Sequence, residues 1–266
     1  MKKYLQYANY FVVASGVMGA FLLKNLLRAG EDAQGLYPAA HSGWIGYLAL
    51  TVATLAILWF VTRKPEIDPT WQRNYPKNTA QRVFCCAGYA LAAAGVGIYG
   101  RSVIPSTLFA QLSYWGSFVC MAALLVLAVQ HFAGKAPFAL LHPVIFLYFV
   151  LQMFLRGRAN ASEPEFLRYL PQMFALGASA LAGYQLWGFA VGCGNREKSL
   201  FWSLSACYLC LAAAAYEPAL FAGLGLWHLL SHPTLTLPPV EMEEIPEAEE
   251  PEEIVEEESI ETEENL

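Results

Sequence analysis

An all-α bundle that crosses a membrane several times is the fold class this sequence predicts, and three observations predict it. Long stretches hold no Lys, Arg, Asp or Glu at all, among them WIGYLALTVATLAILWFVT at Trp44–Thr62. Only 14% of the 266 residues are charged and 56% are hydrophobic, whereas an ordinary soluble domain is about 25% charged. Mean hydropathy is +0.38, although the chain ends in a block with 14 Glu and no cation.

A spanning helix needs about 20 mostly apolar residues, and eight segments meet or approach that. The first runs from Tyr4 to about Leu27. Its Lys24 lies near the end, where a long side chain reaches back to the interface. The basic start followed by an apolar run has the look of a secretory signal. The run is longer than such a core and no A-x-A follows it, so an uncleaved span is expected. The second is Trp44–Thr62, the third Val83–Gly100, the fourth Ser106–His131 and the fifth Pro137–Leu155. The sixth, Leu167–Val191, follows a capping-box pattern, Ser162 with Glu165, and Pro164 suits a first turn. Pro171 is expected to bend it. The seventh is Leu200–Tyr216.

An eighth segment starts at Pro218, PALFAGLGLWHLLSHPTLTL. Proline suits a helix N-terminus, where its missing N–H is no loss. The apolar part is short, roughly 20 Å of helix. It therefore crosses at a thin point, re-enters, or continues the seventh helix through a kink. About eight spans are expected, with seven as the alternative count.

The loop RKPEIDPTWQRNYPKNTAQR holds five basic residues, Arg63, Lys64, Arg73, Lys77 and Arg82. Such loops stay cytoplasmic. Alternation then puts Lys2, Lys3, Lys135, Arg196 and Lys198 on the same side, and Lys24, Arg28, Arg101, Arg156, Arg158 and Arg168 on the other. The expectation is a multi-pass cell-membrane protein with a cytoplasmic N-terminus. Eight spans return the C-terminus to the cytoplasm; seven leave it outside.

Two regions divide the chain: a helical bundle over 1–237 and a Glu-rich tail over 238–266. The net charge of −6 averages an acidic tail with a body of 16 Lys and Arg against 8 Asp and Glu. High charge, three prolines (Pro239, Pro246, Pro251) and no aromatic residue mean that the tail builds no core, so disorder is expected. Its apolar residues Ile245, Ile254, Val255 and Ile260 are candidate contacts for a basic cytoplasmic partner; the other reading is a solvating tail that binds nothing.

Six cysteines fit a small apolar filler of helix contacts better than a disulfide framework. Pairs of small residues, Ser15/Gly19, Ala93/Gly97 and Gly188/Gly192, let helix backbones approach within the bundle. Aromatic residues near span ends, such as Trp44, Trp59, Trp187 and Trp202, suit the interface belts of a bilayer.

Polar side chains in apolar helices are the candidate site residues, because an unpaired polar group in hydrocarbon is costly. Gln152, Gln172, Tyr184, Gln185 and Glu217 are the candidates for binding a solute; the competing role of the glutamines is interhelical glue. Glu217 precedes Pro218. In a hairpin of the last two helices it is a wet cap; in one kinked helix it is a buried ion or proton site.

Cys207 with Cys210, and His228 with His232, have the spacing of metal ligands. The pairs are expected at opposite depths, so no metal is predicted. His131 and His142 flank a short turn and read as interface histidines. There is no phosphate loop, G-x-S-x-G elbow or H-E-x-x-H, so no cofactor is predicted and an enzyme is disfavoured. Nothing suggests nucleic acid.

The resulting expectation is a non-enzymatic scaffold or regulatory membrane protein whose tail binds a basic partner. The alternatives are a transporter of a small neutral or apolar solute, and a seven-span sensor.

Overall fold

The computed structural model describes residues 2–29, 42–63, 78–160 and 166–231. Those residues form eight α-helices and no strand: α1 (Lys2–Ala29), α2 (Ser42–Thr62), α3 (Thr79–Ser102), α4 (Leu108–Phe132), α5 (Leu141–Asn160), α6 (Phe166–Ala190), α7 (Arg196–Ala213) and α8 (Pro218–Ser231). The tail, with Ile245, Ile254, Val255 and Ile260, lies outside the described residues, as do Ser162, Pro164 and Glu165.

Local chemistry sets several helix ends. Side-chain oxygens of Asn78, Thr107 and Asn195 accept from the first-turn N–H of Ala80, Ala110 and Lys198, at 3.1, 3.2 and 2.9 Å. These bonds satisfy donors that a helix start leaves open. Gly134 (φ 67°) and Gly192 (φ 79°) take the left-handed conformation just after α4 and α6, where a residue with a Cβ is strained. α6 runs through Pro171 without interruption. The proline falls in its second turn, and the expected bend does not end the helix.

Neighbouring helices alternate in direction. Gly88 of α3 meets Trp227 and Leu230 of α8, while Gly95 meets Ala219 and Leu220. Gln152 of α5 bonds Ser113 of α4, and Tyr148 bonds Ser117. Arg156 reaches Gln172 of α6, while Phe146, ten residues earlier on α5, packs on Tyr184. The helices α3 to α7 each pack on the next, and α8 closes the circuit between α7 and α3. α1 and α2 lean on α7. Alternation places the starts of α1, α3, α5 and α7 and the ends of α2, α4, α6 and α8 at one end of the bundle.

Helix α8 faces the interior. Its Trp227 contacts Tyr89 of α3 and Phe149 of α5, and its His228 contacts Ser179 of α6. Backbones come close where α8 crosses α3: a Cβ on Gly223 would stand 2.7 Å from the Leu91 carbonyl oxygen. Small residues serve contacts within the bundle, with Gly19 against Ala212 of α7 and Gly97 against Met121 of α4. This matches the use expected of Gly19 and Gly97; the Gly188/Gly192 pair differs, since Gly188 lies nearest Cys193 and Gly194 just beyond its own helix and Gly192, past the end of α6, has nothing within 4 Å of a Cβ.

Four helices, α1 to α4, are long and apolar enough to cross a membrane. The regular structure of the described residues is thus all helical, with several apolar helices, as a membrane-embedded chain requires. α5 differs in kind: it carries His142, Gln152, Arg156 and Arg158 within its length. It ends at Asn160 instead of Leu155, so two arginines assigned to a loop from sequence are helical.

Candidate functional site

The site is built around Arg156. One turn earlier on the same face of α5 stands Gln152, the i and i+4 spacing that stacks side chains on a helix. A buried guanidinium is tolerable only when its charge and donors are matched. Here Arg156 Nη1 and Nη2 donate to the two carboxylate oxygens of Glu217 at 2.9 and 2.7 Å, a bidentate pair. Nη1 also donates to Gln172 Oε1. The guanidinium lies over the rings of Tyr99 and Phe221, 5.2 and 5.6 Å from their centres.

A second layer locks this one in place. Tyr99 donates to Gln152 Oε1 at 3.1 Å, and Gln152 Nε2 donates to Ser113 Oγ at 2.9 Å. Ser117 Oγ shares a 3.0 Å hydrogen bond with Tyr148 and donates to the Ser113 carbonyl. Helices α3, α4, α5 and α6 and the turn before α8 thus meet in one polar network.

The network borders a pocket of about 510 Å³ at this end of the bundle, within the usual range for small-molecule sites. Tyr99, Thr107, Ala110, Ser113, Gln152, Tyr169 and Gln172 line it together with Arg156, Arg158 and Glu217. The Arg156 side chain is 10% exposed and that of Glu217 33%, so the pair forms part of a wall that solvent reaches. Arg158 is exposed in the mouth, its guanidinium 4.2 Å from the centre of the Phe109 ring.

Three of the five residues singled out from sequence, Gln152, Gln172 and Glu217, come together here. Tyr184 and Gln185 do not: they sit toward the other end of α6, and Tyr184 packs on Phe146 and Trp187. Glu217 follows a tight corner between α7 and an antiparallel α8, the hairpin arrangement. It does more than cap α8, because it is also the counter-ion of Arg156. Arg156, Arg158, Tyr99 and Ser113 carry no isolated signal in sequence. The spacing of Gln152 and Arg156 was the one available clue.

Two further expectations change. Cys210 and His228 are not at different depths: the hairpin brings both to Ser179, at 3.3 and 3.2 Å. The three side chains are buried and are not part of the pocket wall. Among the described residues no three His, Cys, Asp or Glu side chains converge as metal ligands; His232 lies outside them. His131 and His142 lie at helix ends beside the short turn, as expected, but enclosed by their neighbours. Both are buried at the end opposite the pocket, with His131 stacked on Tyr89 at 4.8 Å. The two ring nitrogens of His142 have no partner at hydrogen-bond geometry, although the Phe138 backbone lies near.

Comparison with protein-family models, with curated proteins and with solved structures finds no match to this chain. Function is therefore read from the geometry of the site.

Proposed function

We propose that this is a multi-pass membrane protein that binds a small polar solute in the pocket between α3, α4, α5 and α6 and carries it across the bilayer. The single observation that carries the reading is the open pocket of about 510 Å³ walled by the Arg156–Glu217 pair. Ionisable groups among apolar helices are expensive and usually line a solute or ion path. A charged and hydroxyl-rich wall suits a polar solute better than a neutral or apolar one. Fully buried apolar residues, Val96, Leu124, Ile145 and Phe149, lie between the pocket and the buried histidines at the far end. That arrangement suits a carrier open to one side only. In the orientation favoured by the loop charges, the pocket faces away from the cytoplasm of a cell-membrane protein whose termini are both cytoplasmic.

Retention of solutes by the purified full chain tests this. Wild type and an Arg156→Met/Glu217→Leu double variant are incubated with a small-metabolite extract, washed, and analysed by mass spectrometry. A polar compound held by the wild type and released by the variant supports the reading. Identical retention profiles contradict it.

The composition of the tail favours a second role that does not compete with the first: 14 Glu interspersed with Ile245, Ile254, Val255 and Ile260 suit capture of a basic cytoplasmic protein. Deleting residues 238–266 then removes a salt-sensitive partner from co-purification. An unchanged set of partners rejects that role.

A further inference from the structure

We infer that the ligand of the pocket carries one oxyanion, a carboxylate or a phosphate diester, that Arg158 receives; this rests on the solute-pocket reading and names its substrate class. Charge within the pocket wall is the first reason. Among the described residues the wall holds Arg156, Arg158 and Glu217 as its charged side chains. Glu217 takes both terminal nitrogens of Arg156, and among the described residues Arg158 makes no ion pair. Counting the described residues, the wall therefore carries one net positive charge, that of Arg158.

Geometry is the second reason. Arg158 is held by the face of Phe109, a contact that steadies a guanidinium while leaving its edge free to donate. Phe109 belongs to the first turn of α4, whose residues Thr107, Phe109 and Ala110 also line the pocket. The start of a 25-residue helix, its Ala110 N–H capped by Thr107, thus borders the same space with the partial positive charge of its N-terminus. Two independent sources of positive potential converge on one opening.

Placement of donors is the third. Beyond the mouth the wall is polar, with Tyr99, Gln152 and Ser113 joined in one hydrogen-bonded chain and Tyr169 and Gln172 beside it, so a ligand group here would join or exchange with these bonds. An oxyanion at Arg158 leaves the rest of the ligand among these groups, so a hydroxylated body completes the fit. The Arg156–Glu217 pair then sets the charge count: with Glu217 ionised the site suits a monoanion, and neutralising Glu217 makes it suit a dianion.

Matched ligands test this on the full chain in detergent. The probes are lactate and its neutral counterpart lactamide, inorganic phosphate, and mixed micelles holding phosphatidylglycerol or phosphatidylcholine. The readouts are calorimetric titration and the shift in Tm. Saturable binding of lactate or of phosphatidylglycerol, without binding of lactamide or phosphatidylcholine, is the expected result. Lactate alone marks a soluble ligand; phosphatidylglycerol alone marks a lipid headgroup. Arg158→Gln weakens the bound anion by at least about tenfold, as loss of a charge-assisted hydrogen bond implies. Glu217→Gln shifts preference toward inorganic phosphate. Equal binding of lactate and lactamide, unaffected by Arg158→Gln, overturns the anion class while leaving a solute pocket in place. Silence of every probe overturns it too, and labelling of Ala110→Cys from the aqueous phase then reports separately on whether the pocket is open.

Discussion

At one end of the bundle Arg156 donates to Gln172 and Glu217, and Gln152 bonds Tyr99 and Ser113, around an opening that solvent reaches. At the other, His131 and His142 are packed out of contact with water, and His142 lacks well-formed hydrogen bonds. Both ends hold polar side chains on the same helices, α4 and α5, so composition alone does not separate them. What separates them is access. Between the two lie Val96, Leu124, Ile145 and Phe149, each no more than 1% exposed. The two ends thus differ in burial: the ion pair at the first borders an open pocket, and the two histidines at the second are enclosed by their neighbours. A buried polar atom without a partner is costly, and hydration of the closed end in a second conformation would relieve that cost.

The largest expected effect comes from breaking the helix crossing that holds the two ends in register. In Gly223→Leu the new Cβ stands 2.7 Å from the Leu91 carbonyl oxygen. Neither backbone can yield, so the cost is about 3 kcal/mol, read as loss of Tm or of monodisperse protein in detergent. A variant with wild-type Tm would mean that α3 and α8 are not in contact.

Removing the counter-ion at the open end comes next. Glu217→Ala leaves the Arg156 charge among the rings of Tyr99 and Phe221. Breaking a buried pair costs several kcal/mol, and solvent at the one-third-exposed carboxylate reduces this to about 2 kcal/mol. The Arg156→Met/Glu217→Leu double variant recovers most of that loss, because no unpaired charge remains. Chemical or thermal unfolding of the three proteins checks the order; equal stability of the single and double variants breaks the account.

A smaller loss attends Gln152→Leu. It removes the bonds to Tyr99 and Ser113, worth about 1 kcal/mol each, and it enlarges the apolar share of the pocket. The same exchange at the closed end has the opposite sign. His142→Leu gives up no well-formed hydrogen bond, so its Tm stays at or slightly above that of the wild type. A loss of 2 kcal/mol or more at His142 would erase the contrast between the ends.

The eight helices are legible in the sequence because long apolar stretches alternate with polar connections, although only α1 to α4 are long and apolar enough to cross a membrane. Part of the site is legible for the converse reason. Gln152, Gln172 and Glu217 stand out as polar residues in apolar surroundings, and the polar network gathers them. Arg156 and Arg158 are not legible, since they follow the last apolar residue of their segment and read as loop charge; only the extra turn of α5 turns them into the pocket wall. Tyr184 and Gln185 share a helix with Gln172 but stand several turns away, a separation that depends on where α6 meets α5. The burial of His131 depends likewise on Tyr89 from another helix, which no local pattern shows.

One-sided access is the central claim, and two substitutions on α4 test it most directly. Ala110 lines the pocket, and Ala128 is buried near His131, about 27 Å further along the helix. Each is changed to Cys in a full chain carrying Cys86→Ala and Cys193→Ser, reconstituted in vesicles and exposed to a membrane-impermeant thiol reagent. Ala110→Cys labels from one face of the membrane only and Ala128→Cys from neither. Labelling of both positions, or of Ala110→Cys from both faces, would contradict the account.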